Sequence, residues 1–196
     1  FFILIFAPFL GALADITFRK KYMLVFFMLI GAGSTASFFF IYEGYWMIAV
    51  IAYILASIGF SGGNIFYDSL IIDVSNDQSR NQVSAFGYAM GYLGGGILFV
   101  VNVLMYLQPN IFGLASEIDA VLFSFLSVAI WWSIFTLPLI KFVKERKGEI
   151  TSLSLTSTVK NSFFRVINTF KEIRQYKNLF YFLVAYWLYM LSLIHI

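Results

Sequence analysis

The chain contains no cysteine, three prolines, one histidine and few charges, 12% of its 196 residues. Each scarcity excludes something. Without cysteine there are no disulfides and no thiolate metal sites within these residues, although this says nothing about the compartment. One histidine, His195, and ten carboxylates scattered over both ends of the apolar runs assemble neither a metal cluster nor a nucleophile with its base. Gly94, Gly95 and Gly96 lie inside an apolar run with no following Lys-Ser or Lys-Thr, so they do not cradle phosphate. An enzyme reading finds nothing to build on, and a membrane-bound transferase would need a carboxylate cluster that is absent here.

What is abundant is apolar. Hydrophobic residues make up 61% of the chain and the mean hydropathy is +0.85, against roughly 45–50% apolar for a soluble domain. Apolar runs cover residues 1–14, 22–42, 46–67, 83–107, 119–140 and 178–196. The complete ones reach the roughly 20 residues that a helix needs to span hydrocarbon. Lipid leaves no partner for open backbone groups, so a polytopic all-α bundle is expected. The first run is short and starts without Met, and is read as a truncated helix. Leu191 to Ile196 match what a common transposon-end sequencing adapter encodes; they are read as a scar, and His195 is discounted with them.

Lysine and arginine set the orientation. Arg19, Lys20 and Lys21 occupy the first loop, Arg80 the third, and the other nine lie between 141 and 177; the loops around Glu43 and Pro109 have none. All thirteen fall on one side, which the positive-inside rule makes cytoplasmic. Tyr42, Tyr45 and Trp46 sit at the opposite boundary, as an aromatic belt does. The pI of about 9.1 therefore reports orientation and attraction to anionic lipid, not nucleic-acid binding. Glu43, Glu117 and Asp119 are expected to be solvated charges at the outer edge, and Phe38, Phe39 and Phe40 to face lipid or pack in the bundle.

Three segments follow: a membrane bundle over 1–140, a cytoplasmic loop over 141–177, and the start of a second bundle over 178–196. Residues 141–157 read as a polar linker. From Thr158, Val159, Phe163, Val166, Ile167, Phe170 and Ile173 recur at helical spacing, with Lys160, Lys171, Arg174 and Lys177 between them. This predicts an amphipathic helix on the cytoplasmic face, with a calmodulin-like partner site as the alternative.

Three groups of residues are singled out. Gly11, Asp15, Arg19, Lys20 and Lys21 form a short charged hairpin, whose simplest reading is positive-inside anchoring. Asp15 at a helix end needs a partner: a helix N-terminus, Arg19 or Arg80. Asn64 and Asp68 share a helical face with Ser57 and Ser61, a polar stripe emerging toward the cytoplasmic end. Intramembrane ionisable groups are functional candidates, yet about 20 residues from Trp46 place Asp68 near the interface, where a structural role competes. Asp73 lies further out and is expected to face Arg19 or Arg80. Gly87, Gly91 and Gly95 repeat every four residues and predict close helix packing.

The hairpin resembles the loop between the second and third helices of the major facilitator superfamily, Gly-x-x-x-Asp-(Arg/Lys)-x-Gly-x-(Arg/Lys)-(Arg/Lys). Gly11, Asp15, Lys20 and Lys21 match it, while Ile16 and Phe18 replace a basic residue and a glycine. Asn64 to Ser75 and Arg80 to Gly96 narrow this. The Phe66-Tyr67-x-x-Leu70-x-x-Asp73 block, the Arg80-x-x-Val83-Ser84 step and the Gly91-Tyr92-Leu93-Gly94-Gly95 run are similar to the vacuole effluxer family of autophagy-related carriers and their bacterial relatives. Tyr92 stands where the superfamily's antiporter motif has proline, and the family's Tyr-Asp-Trp-Ala-Asn block is absent.

The resemblance implies a partial major facilitator fold, helices two to six plus the start of helix seven. It implies a secondary transporter of amino acids or similar small polar metabolites working by alternating access. A cytoplasmic charge network of Asp15, Arg19, Lys20, Lys21, Asp73 and Arg80 would gate it, and Asn64, Tyr67 and Asp68 would line the substrate or proton path. No cofactor or metal is expected beyond proton coupling; the partners are a small solute and the bilayer, with no nucleic acid and a monomeric full-length protein. The bacterial cytoplasmic membrane is the expected location, or the vacuolar membrane in a eukaryote. A cation-coupled sugar symporter and a non-transporting lipid- or partner-binding membrane protein remain the alternatives.

Overall fold

A computed structural model describes residues 10–11, 20–145 and 155–194. The described residues are helical, without strands. The chain divides into two units, 1–150 and 151–196.

In the first unit α1 spans Lys20–Ser37 and ends in a 3-10 turn over Phe38–Phe40. Helix α2 spans Trp46–Ser69 and continues into a helical turn, Ile71–Val74. Helix α3 spans Arg80–Leu107 and α4 Glu117–Phe142. Four stretches, Lys20–Phe40, Trp46–Val74, Arg80–Leu107 and Glu117–Phe142, are long and apolar enough to cross a membrane. They coincide with the four complete apolar runs of this unit, because in hydrocarbon a helix alone satisfies its own backbone. The outer turns use local chemistry. Gly44 takes a left-handed φ of 92° between α1 and α2, a conformation without steric cost for glycine. Ser116 opens α4: its Oγ accepts from Asp119 N–H at 3.2 Å and its hydroxyl donates to Asp119 Oδ2 at 2.9 Å. Asp119 is therefore part of a helix cap rather than the solvated loop charge expected, since it sits three residues into the first turn, where the orphan amides point.

Helix α1 lies between α2 and α4, and α3 packs on α4. Phe66 is fully buried and stacks on Phe27 with ring centroids 5.7 Å apart. Further along the seam, the backbones of Gly31 and Gly59 meet so closely that a Cβ on Gly59 would overlap Gly31, and Phe27 lies over Gly62. Small residues let membrane helices approach to dispersion distance, which is what holds them together where lipid is as apolar as the side chains. Phe38 stacks on Phe125 at 4.7 Å and Phe39 meets Phe123 edge-on at 5.1 Å, while Phe40 is exposed.

Of the α3 glycines, a Cβ on Gly87 would meet the Tyr67 hydroxyl at 3.2 Å, and Gly91 and Gly95 have open space around them among the described residues. Among the described residues the close approach falls on Gly31, Gly59 and Gly62, because α1 is flanked on two sides there whereas α3 has one described neighbour along its length. That neighbour is joined to it by a Ser127 hydroxyl donating to Asn102 Oδ1 at 2.9 Å.

In the second unit α5 spans Leu155–Gln175 and α6 Lys177–Ile194. The amphipathic segment is thus helical from Leu155, three residues earlier than the periodicity indicates.

Candidate functional site

The inner end of the first unit is organised by two adjacent lysines at the head of α1. Lys20 is buried; its ammonium donates to the Ser69 carbonyl at 2.9 Å and to Asp73 Oδ2 at 3.0 Å. Lys21 turns the other way, its ammonium donating to the Val143 carbonyl at 2.7 Å. The backbone N–H of Lys21 donates to Glu145 Oε1 at 2.6 Å. Helix C-termini leave carbonyls unsatisfied and carry partial negative charge, and N-termini leave amides unsatisfied with partial positive charge. Lys20 therefore completes the end of α2 and Lys21 the end of α4, while Glu145 completes the start of α1 in return. These bonds bring residues 20–21, 69–73 and 143–145 to one end of the bundle, the end that the basic loops mark as cytoplasmic.

Of the expected charge network the structure describes Lys20, Lys21, Asp73 and Arg80. Asp15 and Arg19 lie outside the described residues. Asp73 pairs with Lys20, with side chains 4% and 9% exposed, and Arg80 pairs with its near neighbour Asp77 at 2.5 Å on an open surface. The guanidinium is drawn there because Asn76 and Ser79 bond each other's backbone amides in a tight turn at the head of α3. Lys20 and Lys21 are held inside this unit by carbonyls and carboxylates of α2 and α4.

Above this plate α2 and α3 diverge and leave a cavity of about 200 Å³. Tyr67 and Asp68 of α2, Ser84, Gly87 and Tyr88 of α3, and Val143 beyond α4 are among the residues that line it. Gly87 matters here as space: it admits the Tyr67 hydroxyl across the cleft. The Asp68 carboxylate makes no hydrogen bond or ion pair with another described residue. A second cavity of about 200 Å³ lies between α1, α2 and α4, and includes Asn64, Trp132 and Thr136 in its wall. Tyr67 and Leu139 line both. The structure thus brings Asn64, Tyr67 and Asp68 to adjoining hollows at the inner end of α2. Among the described residues no three His, Asp or Glu side chains come together as metal ligands do.

Sequence reasoning missed Glu145, which reads as one charge among several in a linker. The available signal is its position: an acid just past an apolar run, at the same end as the basic hairpin. Tyr88 and Ser84 carry no signal of cavity lining, because which face of α3 meets the cleft depends on packing.

Comparison with known proteins agrees with this layout. A Bacillus subtilis (strain 168) protein named as the MFS-type transporter YxiO is 38% identical over 193 residues, covering 96% of this chain and 44% of its own length. Autophagy-related protein 22 of Yarrowia lipolytica (strain CLIB 122 / E 150) is 26% identical over 125 residues, 55% of this chain and 20% of its own. The chain spans less than half the length of these curated relatives, and both are named as transport or autophagy proteins rather than enzymes. No solved structure matches the chain significantly. The family model described as vacuole effluxer Atg22 like matches residues 1–195, and with four helices fit to cross a membrane the chain belongs to that family as an integral membrane protein.

Proposed function

We propose that the full-length protein is a secondary transporter that moves amino acids or similar small polar metabolites by alternating access, with Asp68 in the substrate or proton path. The family supports transport, and the naming of a relative as an MFS-type transporter supports the superfamily. The observation that carries the site is a carboxylate without a partner among the described residues, lining a largely apolar cavity near the end of a membrane-spanning helix. A charge in such a place needs a cation or a proton, and a solute ammonium or a coupling proton supplies one.

Lys20, Lys21, Asp73 and Glu145 make the inner ends of α1, α2 and α4 one rigid plate. Rocking of such a plate against a second bundle is the motion alternating access requires. Asp15, Arg19 and Arg80 remain the gating candidates of the charged loops. The bacterial cytoplasmic membrane fits the orientation of the basic loops.

The test is reconstitution of the full-length protein in vesicles with a panel of amino acids and sugars, with and without a proton gradient. Amino-acid uptake is expected, and Asp68→Asn is expected to slow it roughly tenfold, the worth of one charge-assisted hydrogen bond. Sugar uptake alone would move the protein to the symporter reading. An unchanged rate and pH dependence in Asp68→Asn would remove Asp68 from the mechanism.

A further inference from the structure

The second unit contains a helix whose chemistry the transport reading leaves unused. Along α5, Phe163, Val166, Ile167 and Ile173 fall within an arc of about 120° at 100° per residue. Lys160 and Lys171 lie just beyond one edge of that arc, whereas Asn168 and Glu172 fall on the far side. Phe163 is 60% exposed, so its ring is not covered by this unit. Lys160 reaches over the ring of Phe164 with its ammonium 6.0 Å from the centroid, holding a cation beside the apolar arc. The helix is joined to α6 by Tyr176 alone, and the backbone barely breaks: Tyr176 N–H donates to the Ile173 carbonyl and Phe180 N–H to the Tyr176 carbonyl, both at 3.0 Å. Helix α6 is an apolar segment of 18 residues.

We propose that α5 is a docking surface for the anionic inner leaflet of the bilayer, with the Phe163 face among the acyl chains and Lys160 and Lys171 at the phosphates. The side on which it docks follows from the orientation set by the basic loops. Two observations select a lipid surface over a protein groove. Lys160 and Lys171 flank the apolar arc on its edge, with Arg174 beside them by position and Arg165 alone on the far side, and long stems at such an edge snorkel to headgroup level. The acid Glu172 points away from that edge.

The absence of cysteine makes the test direct. In the full-length protein, freed of any other reactive thiol, Phe163→Cys and Asn168→Cys are nitroxide-labelled one at a time. Collision with oxygen and with a water-soluble nickel chelate is then measured in nanodiscs of phosphatidylcholine, with or without phosphatidylglycerol. With the anionic lipid, the label at 163 is expected to be open to oxygen and shielded from nickel, and the label at 168 the reverse. Lys160→Glu with Lys171→Glu is expected to weaken the shielding at 163 by about fivefold or more per cation, and so is high salt on the unaltered helix. Equal nickel access at both positions overturns the proposal, as does shielding indifferent to lipid charge and salt.

Discussion

Helices α1 and α3 are similarly apolar and have opposite surroundings among the described residues. In the most apolar part of α1, 22% of residues are buried, against 6% in α3. Helix α1 has two glycines and α3 five, and among the described residues only α1's Gly31 meets another backbone. A glycine series therefore reports capacity for close packing; whether it is used depends on what lies opposite. The α1 seam is also where charges are buried in pairs, while the Arg80–Asp77 pair at the head of α3 stays open to water.

Substitutions can break or sharpen this contrast, and their effects should descend in order. Gly59→Val drives side-chain atoms into the Gly31 backbone, and is expected to cost about 3 kcal/mol as overpacking, measured by unfolding of the full-length protein in mixed detergent. Stability within error of the parent would show that the seam is looser than the structure has it. Lys20→Met removes charge-assisted bonds to Asp73 and Ser69. A loss of about 1.5–3 kcal/mol is expected, partly restored when Asp73→Leu is added; strict additivity of the two would deny their coupling. Glu145→Ala takes the cap from α1 at a cost of about 1 kcal/mol, with faster hydrogen exchange at the Lys21 amide and near-parental exchange in Glu145→Gln, which keeps an acceptor. Gly91→Ala meets open space and should change stability by less than about 0.5 kcal/mol; a larger loss would mean that a segment outside the described residues covers α3.

Much of the helical layout was legible because hydrophobic length in lipid has one solution. The runs at 46–67 and 119–140 appear as α2 and α4 within a few residues at each end. The face shared by Asn64 and Asp68 was legible for the same reason: helical periodicity needs no neighbours. Partner choice was not. Asp73 took Lys20, Arg80 took Asp77, and Glu145 became a cap, because those choices depend on where α2 and α4 end relative to α1 to within a fraction of a turn. Asp119 at the outer edge departs from a solvated charge for a related reason: the pattern Ser116-x-x-Asp119 opens a helix, and its carboxylate accepts from the Ser116 hydroxyl that caps the Asp119 amide.

The sequence alone determined that this is a polytopic helical membrane protein, which end of each helix carries the positive charge, and which family block runs from Asn64 to Gly96. Hydropathy, lysine and arginine placement and residue spacing are additive along the chain and need no third dimension. Only the tertiary structure decided which glycines touch, which charges are spent on helix ends, and that Asp68 borders a cavity with no partner for its carboxylate among the described residues. Those depend on helices far apart in sequence arriving at distances of about 3 Å, the range over which hydrogen bonds and steric overlap are decided.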